Sequence, residues 1–161
     1  MEDGKEESIN NVHFLKTDPK ARYQGYTFFF REGFCWIDVN STYLKARIKT
    51  NGVFDVLSMS LFTMTELPDW YYVSLINSEF ISLYVDNFIN NTSHFQINDA
   101  RQLPIIIPLP HEFEIFKEIS EASIVAKKAS FSSAISTDMV KEKLNDKQAE
   151  LDKAVLKLYS I

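Results

Sequence analysis

The spacing of apolar residues changes once along the chain, at Leu67-Pro68-Asp69, and that change sets the fold class. Upstream, aromatic and β-branched residues fall in short runs separated by turn signals, the pattern of strands. Downstream, Val73, Ile76, Phe80, Leu83 and Tyr84 recur at helical spacing. Strands first and helices afterwards make an α+β domain, not an alternating α/β one. The expected architecture is a twisted, mostly antiparallel sheet with packed helices and a C-terminal helical pair.

Within the first part, residues 23–31 and 34–39 flank Glu32-Gly33 and read as a hairpin. Residues 43–49 alternate, with Tyr43, Lys45, Arg47 and Lys49 on one face and Leu44, Ala46 and Ile48 on the other. Asn51-Gly52 is a hairpin-turn signal, and 53–57 read as a further strand. Residues 94–98 and 104–107 are expected to add to the sheet, the latter as a short edge segment between prolines. Asn77-Ser78 divides the helical stretch 69–88, with Ser78 as an N-cap. Residues 111–128 read as a helix, and 130–136 as a loop that ends in helix-start residues. Leu144, Leu151 and Leu158, with Val155 between, form a heptad-spaced seam in the last helix. The expected organisation is a lead-in at 1–19, a main domain at 20–110 and a helical spacer or docking segment at 111–161.

The 161 residues are 45% apolar, enough for a core, which rules out wholesale disorder. A single cysteine, Cys35, excludes an internal disulfide and a multi-cysteine zinc site. An acidic, polar N-terminus is unlike a signal peptide, and no apolar run is long enough for a bilayer. A cytoplasmic protein without membrane contact is the expectation. The net charge of −5 argues against a simple polybasic binder of nucleic acid, yet it is unevenly spread. Residues 20–49 carry six cations against two acids, net +4, while 1–19 and 50–110 carry −3 and −5.

Catalytic signatures are missing. His13, His94 and His111 lie in neither a nucleophile elbow nor a His-Glu-x-x-His helix, and four scattered glycines make no phosphate loop. No metal site and no catalytic residue is expected. The row Lys45, Arg47 and Lys49, extended by Arg31 on a neighbouring strand, is the sharpest feature. Period-two cations stand about 6–7 Å apart, close to the phosphate repeat of a nucleic-acid strand. The polar stretch holding Asn91, Ser93, His94 and Gln96, with Arg101 beyond, could read base edges, since Asn and Gln suit adenine and Arg suits guanine. Ordinary solvation of a strand face and backbone capping by a turn are the competing explanations.

The order of motifs resembles a known family. Phe28-Phe-Phe-Arg-Glu-Gly-Phe-Cys-Trp36, Lys45-Ala-Arg47, Gly52-Val-Phe-Asp55 and Ser60-Leu-Phe62 resemble the target-recognition domain of TaqI-like and type IIG restriction–modification enzymes. Tyr72-Val-Ser-Leu-Ile-Asn-Ser78 resembles that family's Leu-Leu-Asn-Ser helix. His94-Phe-Gln-Ile-Asn-Asp-Ala-Arg-Gln-Leu-Pro104 with Ile-Ile-Ile-Pro108, and the ending Glu150-Leu-Asp-Lys-Ala-Val-Leu-Lys-Leu-Tyr-Ser-Ile161, are similar to later segments of the same proteins. Ser160 stands where the family usually has glycine. The resemblance, which extends to type I specificity subunits, implies a non-catalytic DNA-specificity domain of a restriction or adenine-N6 methyltransferase enzyme. It implies Arg31, Lys45, Arg47 and Lys49 on phosphates of double-stranded DNA, and Asn91, Ser93, His94, Gln96 and Arg101 as base-reading candidates. S-adenosylmethionine is then expected in a methyltransferase domain or partner chain, with no cofactor in this chain. Two rival readings are a helical protein–protein docking module, such as a half specificity subunit joining a methyltransferase, and a small enzyme built on His94 or His111.

Overall fold

The structure is a computed structural model that describes residues 13, 16–18, 26–39, 43–53, 58–131 and 136–161. Three strands form its sheet: β1 (Gly33–Ile37), β2 (Ala46–Lys49) and β3 (Ser58–Leu61), in the order β2-β1-β3 and antiparallel throughout. Cys35 of the central strand faces Arg47 on one side and Ser60 on the other. Gly33 is required by packing, because a Cβ there would sit 2.4 Å from the Leu61 carbonyl oxygen. Phe34 and Trp36 point into the core at 2% and 1% exposure, while Ile37 faces outward, the alternation expected of a half-buried strand.

Helices cover the buried face. They are α1 (Asp69–Ile76), α2 (Glu79–Tyr84), the short α3 (Ile97–Ala100), α4 (Pro110–Ala129) and α5 (Thr137–Leu158). Ser78 separates α1 from α2 as read from the sequence. Its hydroxyl accepts from the Ile81 amide at 3.2 Å and donates to the Leu75 carbonyl at 2.7 Å. A π-helical turn, Val85–Ile89, prolongs α2. Pro110 opens α4, where Glu112 accepts from the Leu109 amide at 2.8 Å, and the Ser136 hydroxyl caps α5.

Phe34, Trp36, Leu44, Ile76, Ile81 and Phe95 are among the buried side chains of one core between sheet and helices. A second core joins Tyr71 and Leu75 of α1 to Phe116 and Ile119 of α4 and to Leu151, Val155 and Leu158 of α5. The start of α4 thus meets the end of α5, so the two long helices are an antiparallel hairpin. Phe80 and Tyr159, 4.6 Å apart, pack against both cores and join them. The heptad seam is occupied inside the chain through Leu151 and Leu158, while Leu144 is half-buried beside a groove.

Four expectations need correction. Residues 26–31 are not a strand: Tyr26–Phe28 is a 3-10 turn, and Phe30 has φ 64 with its amide on the Gly52 carbonyl at 2.9 Å. Phe28 is placed by stacking on Phe62 at 5.0 Å rather than by strand pairing, and 23–25 lie outside the described residues. Asn51-Gly52 turns the chain, with Asn51 at φ 38, yet it joins no β2–β3 hairpin, because β3 pairs on the far side of β1. Of the strand expected at 53–57, Val53 is not in a strand and 54–57 lie outside the described residues; the strand is at Ser58–Leu61. Residues 94–98 contribute a single bridge, His94 to Val39, before α3 begins, and 104–107 join no strand. That proline-flanked segment is pinned by two phenols instead. Tyr71 Oη donates to the Ile106 carbonyl at 2.8 Å, and Tyr159 Oη donates to the Pro104 carbonyl. Burial pushes the Tyr159 phenol up to about 12, with a further contribution from Tyr84, and it shifts Tyr71 the same way.

Candidate nucleic-acid interface

The cations expected in one row on β2 are divided. Lys45 and Arg47 are exposed, whereas Lys49 is buried at 8% exposure. Its ammonium donates to the Arg31 carbonyl at 2.9 Å and stands 5.2 Å from the Phe62 ring centre. A carbonyl acceptor and an aromatic face together make burial of this charge tolerable. The Arg31 guanidinium covers the Phe28 and Phe62 rings at 5.1 and 5.7 Å, so both cations at this end of β2 belong to one aromatic cluster. The outward row is therefore Lys45 and Arg47, and the strict alternation read from the sequence stops at Ile48, which is itself 40% exposed.

The free edge of β2 is closed by side chains from the α1–α2 junction. Asn77 Oδ1 accepts the Ala46 amide at 2.6 Å, and its Nδ2 donates to the Ala46 carbonyl at 3.0 Å. The Ser82 hydroxyl accepts the Leu44 amide at 3.1 Å. The same junction holds α5, since Asp152 accepts the Glu79 amide at 2.8 Å and Gln148 donates to the Asn77 carbonyl at 3.0 Å. Strand edge and helical hairpin are thus fixed at one point, and a groove opens between them.

That groove has a volume of about 600 Å³. Its charged lining is Arg47 from the strand with Lys127, Lys128 and Lys147 from the helices, and among the described residues no acid lines it. Lys147 is paired with Glu150 at 2.6 Å, and the Lys127 ammonium lies 5.5 Å from the Phe131 ring centre. An adjoining cleft shares Ala46, Asn77 and Lys127 with it and adds Lys45, together with Glu79 and Asp152. Neither Lys127 nor Lys128 stood out in the sequence. They form a basic pair at the end of α4, inside a stretch whose charges balance. Only the folded hairpin sets them opposite Arg47.

The base-reading candidates lie on a separate loop whose shape is fixed internally. Asn90 Nδ2 donates to the His94 carbonyl at 2.8 Å and to Asp99 at 3.0 Å, and Asn90 Oδ1 accepts the Thr92 amide at 2.9 Å. Asp99 also accepts the Gln96 amide at 2.8 Å, opening α3. Asn91, Ser93, His94, Gln96 and Arg101 are all exposed. Arg101 reaches Asn98 at 3.4 Å, and His94 Nδ1 lies 2.9 Å from Asp38 Oδ2. His111 is exposed at the start of α4, and Cys35 is half-buried in mid-strand. Among the described residues no cluster of three or more His, Cys, Asp or Glu could hold a metal ion, and no helix is long and apolar enough to cross a membrane. No protein-family model matches the chain, and none of the curated proteins matches it.

Proposed function

We propose that this chain is the sequence-reading module of a DNA restriction or adenine-N6 methylation enzyme, and that its basic groove takes the phosphates of double-stranded DNA. The observation that carries the reading is the lining of the groove between β2 and the helical hairpin. Arg47, Lys127, Lys128 and Lys147 converge there without an acid among the described residues, in a chain whose net charge is −5. Convergent cations on two elements suit a polyanion, because each phosphate neutralised releases condensed counterions. The exposed polar loop at 90–101 supplies groups suited to base edges, so phosphate positioning and base reading fall on different elements. In this reading the chain is not itself catalytic, works in the cytoplasm, and joins a methyltransferase domain or chain that binds S-adenosylmethionine; the motif resemblance supports that part.

The test is a fluorescence-anisotropy titration of the chain against random duplex over a salt series. Arg47→Ala, Lys127→Ala and Lys128→Ala are each expected to flatten the salt slope by about 0.9 for every phosphate left unneutralised, while keeping any sequence preference. Lys49→Ala is expected to lower stability and leave the slope unchanged. Equal slopes for all four variants would displace the phosphates from this groove. Undetectable binding at low salt, with and without the methyltransferase chain, would remove the DNA reading.

A further inference from the structure

Asp38 and His94 form a built pair just beyond the end of β1. Asp38 is buried at 8% exposure; its Oδ2 meets His94 Nδ1 at 2.9 Å, and its Oδ1 has no hydrogen-bond partner among the described residues. The backbone around the pair is held from both sides. The Phe95 amide donates to the Asp38 carbonyl at 2.8 Å, the Trp36 indole donates to the Phe95 carbonyl at 2.8 Å, and Asn90 donates to the His94 carbonyl. An ionised carboxylate only accepts, so in the neutral imidazole the proton sits on Nδ1 and Nε2 is left as an acceptor. The His94 side chain is 56% exposed while that of its partner is 11%, so the far edge of the ring, with Nε2, faces outward.

We infer that Asp38 is a positioning residue that fixes the tautomer of the neutral His94 ring so that Nε2 accepts, and that His94 thereby selects a base with an exocyclic amino group, adenine N6 or cytosine N4, in the major groove. Guanine and thymine offer acceptors at the corresponding edge and are refused. Asp38 follows β1 directly after Ile37, and the single bridge between Val39 and His94 sets the pair at this end of the sheet. Asn91, Ser93 and Gln96 are exposed on the same loop and could complete the reading of neighbouring base pairs.

The inference rests on the DNA reading above, and its test separates the two. Duplexes enriched from a random pool are sequenced for the wild-type chain, for Asp38→Asn and for His94→Ala. In Asp38→Asn the side-chain amide donates to Nδ1, the proton moves to Nε2, and His94 becomes a donor. One base position is expected to change from adenine or cytosine to guanine or thymine, by about tenfold, the cost of a single mismatched base pair. His94→Ala is expected to lose preference at that position alone. An enriched sequence identical in all three proteins overturns the inference and leaves the DNA reading standing. A wild-type pool with no enriched sequence overturns both. Should Asp38→Asn fail to fold, nitrogen NMR of the wild-type ring across a pH series reports the protonation state and tautomer directly. A dominant proton on Nε2 would refute the role given to Asp38.

Discussion

Asn77 is the residue on which the sheet edge depends, and Asn77→Ala tests that directly. Among the described residues β2 has β1 as its only strand neighbour, so the amide and carbonyl of Ala46 on the other side must find partners elsewhere. Asn77 satisfies both, at 2.6 and 3.0 Å, and the orientation of its amide is dictated by the pair, since only an oxygen can face the N–H and only the NH₂ the carbonyl. Ala46 is buried at 7% exposure. Truncation leaves two backbone groups unsatisfied, each costing about 1–3 kcal/mol. Partial access of water to this edge favours the lower end, so the expected loss is about 2–4 kcal/mol. With a urea m-value of about 2 kcal/mol/M for a small domain, the midpoint falls by about 1–2 M. Asn77→Asp is the sharper variant. It has nearly the same shape, keeps the acceptor for the Ala46 amide, and sets a carboxylate oxygen against the Ala46 carbonyl. It should be at least as damaging as alanine, which no argument from volume predicts. Equilibrium unfolding followed by far-UV circular dichroism measures both. A loss below about 0.5 kcal/mol for either variant, the range of ordinary surface substitutions, would refute this account of the edge.

Two further outcomes follow from the packing. Gly33→Ala drives a Cβ toward the Leu61 carbonyl and the Phe62 ring, so β1 and β3 must separate. A loss of about 1–3 kcal/mol, read as a lower melting temperature, is expected from such overpacking, and an unchanged melt would contradict the register between the strands. The folded protein holds the Tyr159 phenol neutral, raising its pKa from 10.0 to about 12. Its contribution is complete below pH 10 and drains away as pH rises from about 10 to 12, because there the unfolded chain gives up the proton first. Urea midpoints should fall across that window, and Tyr159→Phe should fall less steeply while being less stable at neutral pH. Parallel curves would show that Tyr159 does not carry the shift.

The helical half of the molecule was legible in the sequence because its determinants are local. Ser78 and Ser136 sit next to the helices they cap, Pro110 needs no distant partner, and the spacing of Leu151 and Leu158 fixes which face is buried. The sheet was legible only where alternation and burial coincide, as at Phe34 and Trp36. The aromatic run before it reads as a strand by propensity, but Phe28 is committed to Phe62, thirty-four residues away in the sequence, and β propensity does not record such a commitment. The same holds for 104–107, whose partners are phenols from α1 and the chain end. At the candidate site, Lys45 and Arg47 were visible as outward cations, whereas Lys49 was misplaced because its burial depends on Arg31 and Phe62. Lys127 and Lys128 could not be found, since what makes them notable is the strand across the groove. The Asn77-Ser78 pair lies between: the cap was readable from spacing, and the clasp on Ala46 required the fold.

The same distinction between local and global accounts for a basic groove in an acidic chain. Several acids near the functional elements are already committed to donors within the fold. Asp152 holds the Glu79 amide, Asp99 the Gln96 amide and Asn90, Glu112 the Leu109 amide, and Asp38 the ring of His94. A carboxylate so engaged fixes local geometry. What a phosphate in the groove experiences then depends on distance. At physiological ionic strength the screening length is about 8 Å, so exposed acids farther away than this contribute little, whereas the cations lining the groove act almost unscreened. Lowering the salt lengthens the reach of the remote acids and of the groove alike. In the proposed DNA reading, the net charge of −5 therefore bears on encounter at low salt, and the local convergence of Arg47, Lys127 and Lys128 bears on binding at physiological salt.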